Sequence, residues 1–432
     1  MDKTDKLYEA YKRSSGVCTD TRRISEGCFF VALRGERFDA NEMVGEALSQ
    51  GAAYALTTNK DFEGDERAIV VDDTLKALQD LARTHRRHLK IPIVGITGTN
   101  GKTTTKELTT AVLSKKYKVL ATVGNLNNHI GVPLTVLSIG DDTEIAVVEM
   151  GANHPGEIVA LCEIAQPTAG LITNVGMAHL EGFGSFEGVK RTKAELYDYL
   201  RRTGGEVFVN TDSQDLSEML GEYAAMGYGE KQTDKNAICG RACENETGYM
   251  SFEWRDGAKS GHTDTHLVGS YNVRNALAAM TVGKRFGVDM QSAAQAIADY
   301  VPSNGRSQLV RTSRNTLIVD AYNANLSSMT AAIDAFAGRK ETSKMLILGS
   351  MRELGREQDA CHRQILDKIS SDVSMDAVLI GKEFGRFAEE YPKYKFFEST
   401  EQAIETCKQT SGKVILLKGS NSYKMSSLVE YL

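Results

Sequence analysis

Four absences narrow the field before any motif is read. No run approaches the roughly 18 consecutive apolar residues that cross a bilayer, which excludes a membrane-spanning helix as an expectation. The opening stretch MDKTDKLYEAYKRSSG is charged and amphipathic and has no apolar signal core, so a cytoplasmic protein is expected. The seven cysteines are an odd, scattered set. Cys239 and Cys243 come nearest to pairing, as C-x3-C, and no second pair stands at zinc-ligand spacing. Free thiols in a reducing compartment follow from that pattern. Positive charge is not in excess: 51 Lys and Arg against 57 Asp and Glu give a net charge of -6. The basic footprint of a nucleic-acid binder is therefore missing. There is no internal repeat and no low-complexity segment.

What remains is ordinary in composition and long in extent. The chain has 432 residues, 41% hydrophobic and 25% charged. At roughly 100–200 residues per domain, two or three domains are expected. The first 90 residues mix short strands, CFFVALRG (28–35) and AAYALTT (52–58), with helical patterns. TLKALQDLARTHRRHLK (74–90) has leucines at helical spacing and a basic last turn, and IP then breaks it. A boundary is placed near Lys90. From Ile91 to about Pro302 strands alternate with helices, which predicts a parallel sheet covered on both faces. A polar stretch, 221–265, reads as an antiparallel or loop-rich excursion. VPSNGRSQLV (301–310) marks a second boundary, and LIVDAY, KMLILGS, AVLIGK and VILLKGS then predict a second doubly wound unit. The expected organisation is α/β in three domains, 1–90, 91–303 and 304–432. Hinges are expected near residues 90 and 303.

The decisive segment is VGITGTNGKTTTKE (94–107). An apolar strand, a glycine loop and a helix opening on Lys-Thr-Thr form the context of a phosphate loop. The common spacing G-x-x-x-x-G-K-[ST] would put glycine at position 96, where the chain has Ile96. The glycines instead stand at Gly95, Gly98 and Gly101. Backbone N–H groups of Gly98, Thr99, Asn100 and Gly101 can converge on phosphate oxygens at a helix N-terminus. Lys102 would reach the terminal phosphates, Thr103 would offer a hydroxyl to Mg²⁺, and Thr104 would help to cap the helix. Glu149 closes the strand EIAVVEM and is a second ligand candidate, because Mg²⁺ at ATP sites takes one or two carboxylates together with phosphates. Farther on, NVGMAHLEGFGSFEGVKRTKAEL (174–196) carries His179 and the cluster Lys190, Arg191 and Lys193.

The loop G-T-x-G-K-[ST] and the segment N-x-x-x-x-H-L-[ED]…K-x-[EAG] resemble those of the Mur ligases, which form amide bonds at the expense of ATP. The resemblance covers essentially the whole chain. It implies ATP, two Mg²⁺ ions held by Thr103, Glu149, His179 and Lys193, and carbamylation of Lys193. Lys102, Glu149, His179 and Lys193 are thus the expected catalytic set. A carbamate forms only on a neutral amine, and the neighbouring cations Lys190 and Arg191 together with a metal are expected to lower the lysine's pKa. The resemblance places Asn125, Asn127 and Asn128 of GNLNNHIGVPLT against the muramoyl substrate and the phosphates. It places Asn272, Asn275, Arg306, Asp320 and Tyr322 at the nucleotide, and Asn323 and Asn325 at the incoming amine.

The Tyr-Asn-Ala-Asn of VDAYNANLSSMTAAI, with Ser-Met-Thr after it, is similar to the family members that join D-alanyl-D-alanine to UDP-N-acetylmuramoyl-tripeptide. The start of the chain resembles their uridine-binding domain. The usual S-x-D-S-R reads Cys18-Thr19-Asp20-Thr21-Arg22 here, and Asp20, Thr21, Arg22, Arg34 and Arg37 become substrate candidates. Three positions depart from the pattern: Ser350 replaces the Asp of G-D-M, Asn421 the Arg of K-G-S-R, and Leu326 a proline. A sister ligase acting on a dipeptide or folate acceptor, or an ATP-binding regulator without chemistry, are the alternatives. The first lacks an Asp-Asn-Pro-Arg motif here, and a guanine-reading motif is offered only by Asn59-Lys60-Asp61, ahead of the loop. Lysine and diaminopimelate both remain open as the acceptor's third residue. A monomer is expected.

Overall fold

A computed structural model describes residues 3–35, 38–243, 247–303, 305–372 and 375–432. Arg37, a substrate candidate, and Asn304, the first residue of the expected C-terminal unit, lie outside the described residues. Three sheets organise the chain. The first has four parallel strands in chain order: Val17–Cys18, Phe29–Val31, Tyr54–Thr57 and Ala68–Val70.

The second sheet has nine strands. The strand Ile93–Thr97, third from one edge and with all five residues buried, is flanked on one side by Ile145–Glu149 and on the other by Ala169–Ile172. From Ile93–Thr97 the chain builds outward in one direction, returns, and then builds in the other. The loops that follow Ile93–Thr97 and Ala169–Ile172 therefore flank a topological switch point, where doubly wound sheets bind ligands. The polar stretch 221–265 ends in two antiparallel pairings, Asn236–Cys243 with Ser251–Asp256 and Ser251–Asp256 with Lys259–Asp264, at the far edge.

The third sheet runs Gln308–Arg311, Thr316–Asp320, Val414–Lys418, Lys344–Gly349, Asp376–Ile380 and Lys395–Phe397. Its first pair is antiparallel. That edge strand occupies the end of the segment read as a boundary, because Leu309 and Val310 follow the polar residues closely enough to pair back on Leu317 and Ile318.

The seam near residue 90 differs from the expected hinge. Leu7, Leu56, Leu78 and Leu81 of the first unit share one buried cluster with Val132, Val136, Ile158 and Leu161 of the second. Helix Thr74–His88 lies between them. Its buried Arg86 donates from Nε to the Ala165 carbonyl at 2.9 Å and from Nη2 to the Gln166 carbonyl at 3.1 Å. Tyr11 Oη donates to the Leu137 carbonyl at 2.6 Å. Opening this seam would expose a continuous apolar core to water. The third unit meets the second through Val268, Met177 and Tyr249, which pack on its apolar cluster, and through polar side chains, described next.

Candidate active site

The phosphate loop needs its glycines for reasons of space. Gly98 has φ +139° and a Cβ there would lie 2.0 Å from Thr173 Oγ1; Gly101 has φ +77° and a Cβ would lie 2.8 Å from Asn275 Oδ1. The loop is tied to the adjacent strand end. The Asn100 N–H donates to Asn174 Oδ1 at 2.9 Å and Thr173 Oγ1 donates to the Asn100 carbonyl at 2.6 Å. Helix Lys102–Leu113 starts at Gly101 with no side chain capping it. Thr104 therefore does not cap, as had been expected; it lines the adjoining cavity of about 890 Å³. Lys102 Nζ folds back on its own loop, donating to the carbonyls of Gly98 at 2.8 Å and Thr99 at 3.1 Å.

One turn further along, the buried Lys106 donates to the Thr122 carbonyl at 2.6 Å. The Thr122 hydroxyl in turn accepts from the Glu149 N–H at 3.0 Å. Asn127 Nδ2 donates to Glu149 Oε1 at 2.8 Å. Thus the Asn125–Asn128 loop, the phosphate-loop helix and the carboxylate form one connected unit. Asn128 Oδ1 is occupied by the N–H groups of Ile130 and Gly131, while Asn125 lines the cavity.

Two buried oxygens in this unit, Thr103 Oγ1 and Glu149 Oε2, have no hydrogen-bond partner. Such orphans are rare in folded proteins, and a bound ion or water would satisfy them. Among the described residues no cluster of three or more His, Cys, Asp or Glu gathers anywhere. A hydroxyl and a single carboxylate still suit Mg²⁺, which fills its remaining positions with phosphate and water oxygens.

Lys193 lies in helix Phe186–Thr203 and is 2% exposed. Among the described residues no hydrogen-bond or ion-pair partner reaches its Nζ, which stands 5.4 Å from the Phe183 ring centroid. Burial, and then the charge of Lys102, bring its pKa down to about 7. The source of that shift differs from the expected one. Lys190 points away, paired with Asp215 at 2.8 Å and Glu218 at 3.4 Å, and Arg191 is exposed. His179 adopts left-handed φ +52° and its Nδ1 pairs with the Glu353 carboxylate, whose pKa falls below the usual range through that contact.

The nucleotide candidates converge on the same cavity. Arg306 stacks on Tyr322, 3.7 Å from the ring centroid, and its buried Nε has no partner. Asn275 Nδ2 donates to Asn272 Oδ1 at 2.8 Å, and Lys418 Nζ donates to Asp320 at 2.6 Å. Asn323 is exposed at the cavity. Asn325 has a different job from the one expected. It caps helix Leu326–Ala337 through a capping box with Ser328, and its Nδ2 donates to Asn100 Oδ1 at 2.8 Å. It thereby holds the third unit against the phosphate loop. Leu326 is the first residue of that helix, where proline is favoured but nothing requires it. Ser350 is fully buried and accepts from the Phe384 N–H at 3.3 Å.

The structure does not bring Asp20, Thr21, Arg22 or Arg34 to this cavity. Arg22 is bound to its own neighbour Asp20 by two hydrogen bonds of 2.9 and 2.8 Å, and Arg34 faces Asp39 at 3.7 Å. The first unit contributes Gln79 instead, donating to the His129 carbonyl at 3.0 Å at the cavity rim. Sequence reasoning missed Gln79, Lys106, Glu353 and Lys418. Of these, Lys418 carried a local signal as the polar end of a buried strand, and Glu353 as the Glu of the G-D-M-x-E-L-G segment.

This combination of fold and site defines a class. Residues 96–283 match the Mur ligase middle domain and residues 305–421 the Mur ligase glutamate ligase domain; the chain belongs to the Mur ligase family. Among its relatives is the UDP-N-acetylmuramoyl-tripeptide–D-alanyl-D-alanine ligase of Bacillus subtilis (strain 168), 34% identical over 96% of this chain and 93% of that one. The Escherichia coli (strain K12) enzyme of the same name is also 34% identical, over 96% and 93%. A crystal structure of MurF from Acinetobacter baumannii superposes with a TM-score of 0.88 at 28% identity, covering 99% of this chain and 97% of that one. MurF from Thermotoga maritima in complex with ADP gives 0.85 at 27%, covering 98% and 97%. The three-domain architecture is that of these ligases.

Proposed function

We propose that the chain joins D-alanyl-D-alanine to UDP-N-acetylmuramoyl-tripeptide at the expense of ATP, forming the UDP-muramoyl-pentapeptide of peptidoglycan synthesis. The observation that supports this most is one cavity lined by the phosphate loop with Lys102, by Glu149 with its unpartnered oxygen and by His179, with the buried Lys193, whose pKa is about 7, close enough to feel the charge of Lys102. A carboxylate is a poor electrophile, so a terminal oxygen of the tripeptide first attacks the γ-phosphorus and the bond to ADP breaks. The amine of the dipeptide then attacks the acyl carbon, loses a proton, and phosphate departs with the C–O electron pair.

Lys102 leaves its loop carbonyls to meet the phosphates. Thr103 and Glu149 would hold one Mg²⁺, and His179 with a carbamylated Lys193 a second. Bound there, the ions would supply charge neutralisation for the phosphoryl group in transit. Lys193 is suited to carbamylation because a pKa of about 7 leaves a large neutral fraction to add CO₂. Arg306, Tyr322, Asp320, Asn272 and Asn275 would contact the nucleotide. Asp20, Thr21, Arg22 and Arg34, outside the cavity, would bind the distal uridine part.

We assign domains 1–90, 91–303 and 304–432, with closure about the 303–307 segment, and a monomeric cytoplasmic enzyme. No described helix is long and apolar enough to cross a membrane. Mass spectrometry of the product tests the reading. The acceptor should gain one dipeptide less one water, and with the dipeptide withheld, hydroxylamine should trap the activated acyl group. An unchanged acceptor mass in the presence of Mg²⁺-ATP and both substrates would overturn it.

A further inference from the structure

The cavity has two ends of different charge. Lys102, Arg306 and Lys418 line the nucleotide end, with Arg274 on the same helix as Asn272 and Asn275. The opposite end passes beneath Gln79 and His129 and runs along helix Glu157–Ala165, whose Ala160, Leu161 and Ile164 form an apolar floor. No lysine or arginine lines that end among the described residues.

Four carboxylates line the whole cavity, and three are accounted for. Glu149 is bonded by Asn127 at Oε1 and keeps Oε2 for the Mg²⁺ proposed above, Asp320 is bonded by Lys418, and Asp212 by the Glu230 N–H at 2.6 Å. Glu157 is the fourth. Its Oε2 accepts from the N–H groups of Asn153 at 2.7 Å and His154 at 3.1 Å, while Oε1 has only the His154 ring at 3.4 Å. Burial opposes its charge, but those donors outweigh it and hold the carboxyl below its usual range. Glu157 lines the same cavity as Lys102, Glu149 and His179.

We infer that Glu157 receives the side-chain ammonium of the acceptor's third residue and makes the enzyme select tripeptides that end in an ω-amino side chain. The inference rests on the ligase reading above. The third residue bears the carboxylate that meets the γ-phosphate, so its side chain must leave from beside Lys102, Glu149 and Lys193. An aliphatic stem would lie on Ala160 and Leu161, and its charged head would meet the carboxylate. Lysine and diaminopimelate both offer that ammonium. The second carboxylate of diaminopimelate would find only His129, His154 and Gln79 on this wall.

Four UDP-muramoyl-tripeptides test this, with lysine, diaminopimelate, N-ε-acetyl-lysine or norleucine as third residue, assayed by ADP release with D-alanyl-D-alanine. The wild-type enzyme should prefer an ammonium-bearing residue over norleucine and acetyl-lysine by roughly tenfold to a hundredfold in kcat/KM, the scale of a hydrogen bond to a charged group. Glu157→Gln should collapse that preference, through KM for the tripeptide. Equal turnover of all four by the wild type would overturn the inference and leave the ligase reading standing, and this series needs no variant to fold. A preference that persists in a folded Glu157→Gln would also overturn it. ADP release with none of the four would overturn the ligase reading and this inference with it. Lysine against diaminopimelate identifies the source of the ammonium.

Discussion

A buried lysine with no hydrogen-bond or ion-pair partner among the described residues is costly at the scale of a single residue. Lys193 is buried beside the Phe183 ring and feels the charge of Lys102, both of which disfavour its own charge, and the fold tolerates it for what its neutral amine can do. Lys193→Met should therefore raise the thermal midpoint of the ligand-free protein while removing turnover. Exchanging buried charge for apolar volume is often stabilising by roughly 1–4 kcal/mol, and calorimetry beside an ADP assay checks both halves. Glu149→Gln should keep the fold, since Asn127 can still bond a Gln oxygen, yet weaken Mg²⁺-dependent nucleotide binding. Titration of ATP with and without Mg²⁺ separates that outcome from a general loss of affinity. Lys193 and Glu149 were both legible as residues, from the strand end and the Lys-Ala-Glu segment. The cause of the lysine's shift was not, because Lys190 and Arg191 are its neighbours in sequence while burial and Lys102 are its neighbours in space.

At the scale of elements, the strand–loop–helix unit 93–113 could be read directly, because its apolar run, glycines and Lys-Thr-Thr are contiguous. Asn325 could be read only in part. A capping residue before LSSMTAAI is a local signal, but its bond to Asn100 joins positions far apart in the chain. Asn325→Ala should lose roughly 0.5–2 kcal/mol of stability from the cap. It should also lower kcat more than Asn323→Ala does, since Asn325 bonds the phosphate-loop Asn100. Helix Thr74–His88 supplies a pH dependence. Burial pushes the pKa of His85 below 6.5, so the unfolded chain binds the proton first as pH falls. Stability is then complete above about pH 6.5 and declines below it, with buried His362 adding in the same sense. Urea midpoints at falling pH should show this slope, and it should be shallower in His85→Gln.

Over the whole molecule, three α/β units were visible in the alternation of strands and helices, but the nature of their seams was not. A basic helix end and Ile-Pro mark residue 90 and a Pro-Ser-Asn-Gly stretch marks residue 303, but neither tells that the first seam is apolar and the second mixes polar bonds with a smaller apolar contact. Fluorescent pairs spanning residue 90 should thus report no change on adding nucleotide and acceptor, whereas pairs spanning the 303–307 segment should shift. The uridine candidates illustrate the same limit: their motif is contiguous, yet its distance from the cavity depends on how the first unit packs. The account stands most directly on ADP release by the purified chain with Mg²⁺-ATP, omitting one substrate at a time. It predicts turnover only when UDP-N-acetylmuramoyl-tripeptide and D-alanyl-D-alanine are both present. Turnover that ignores the dipeptide, or none with the complete set, would contradict it.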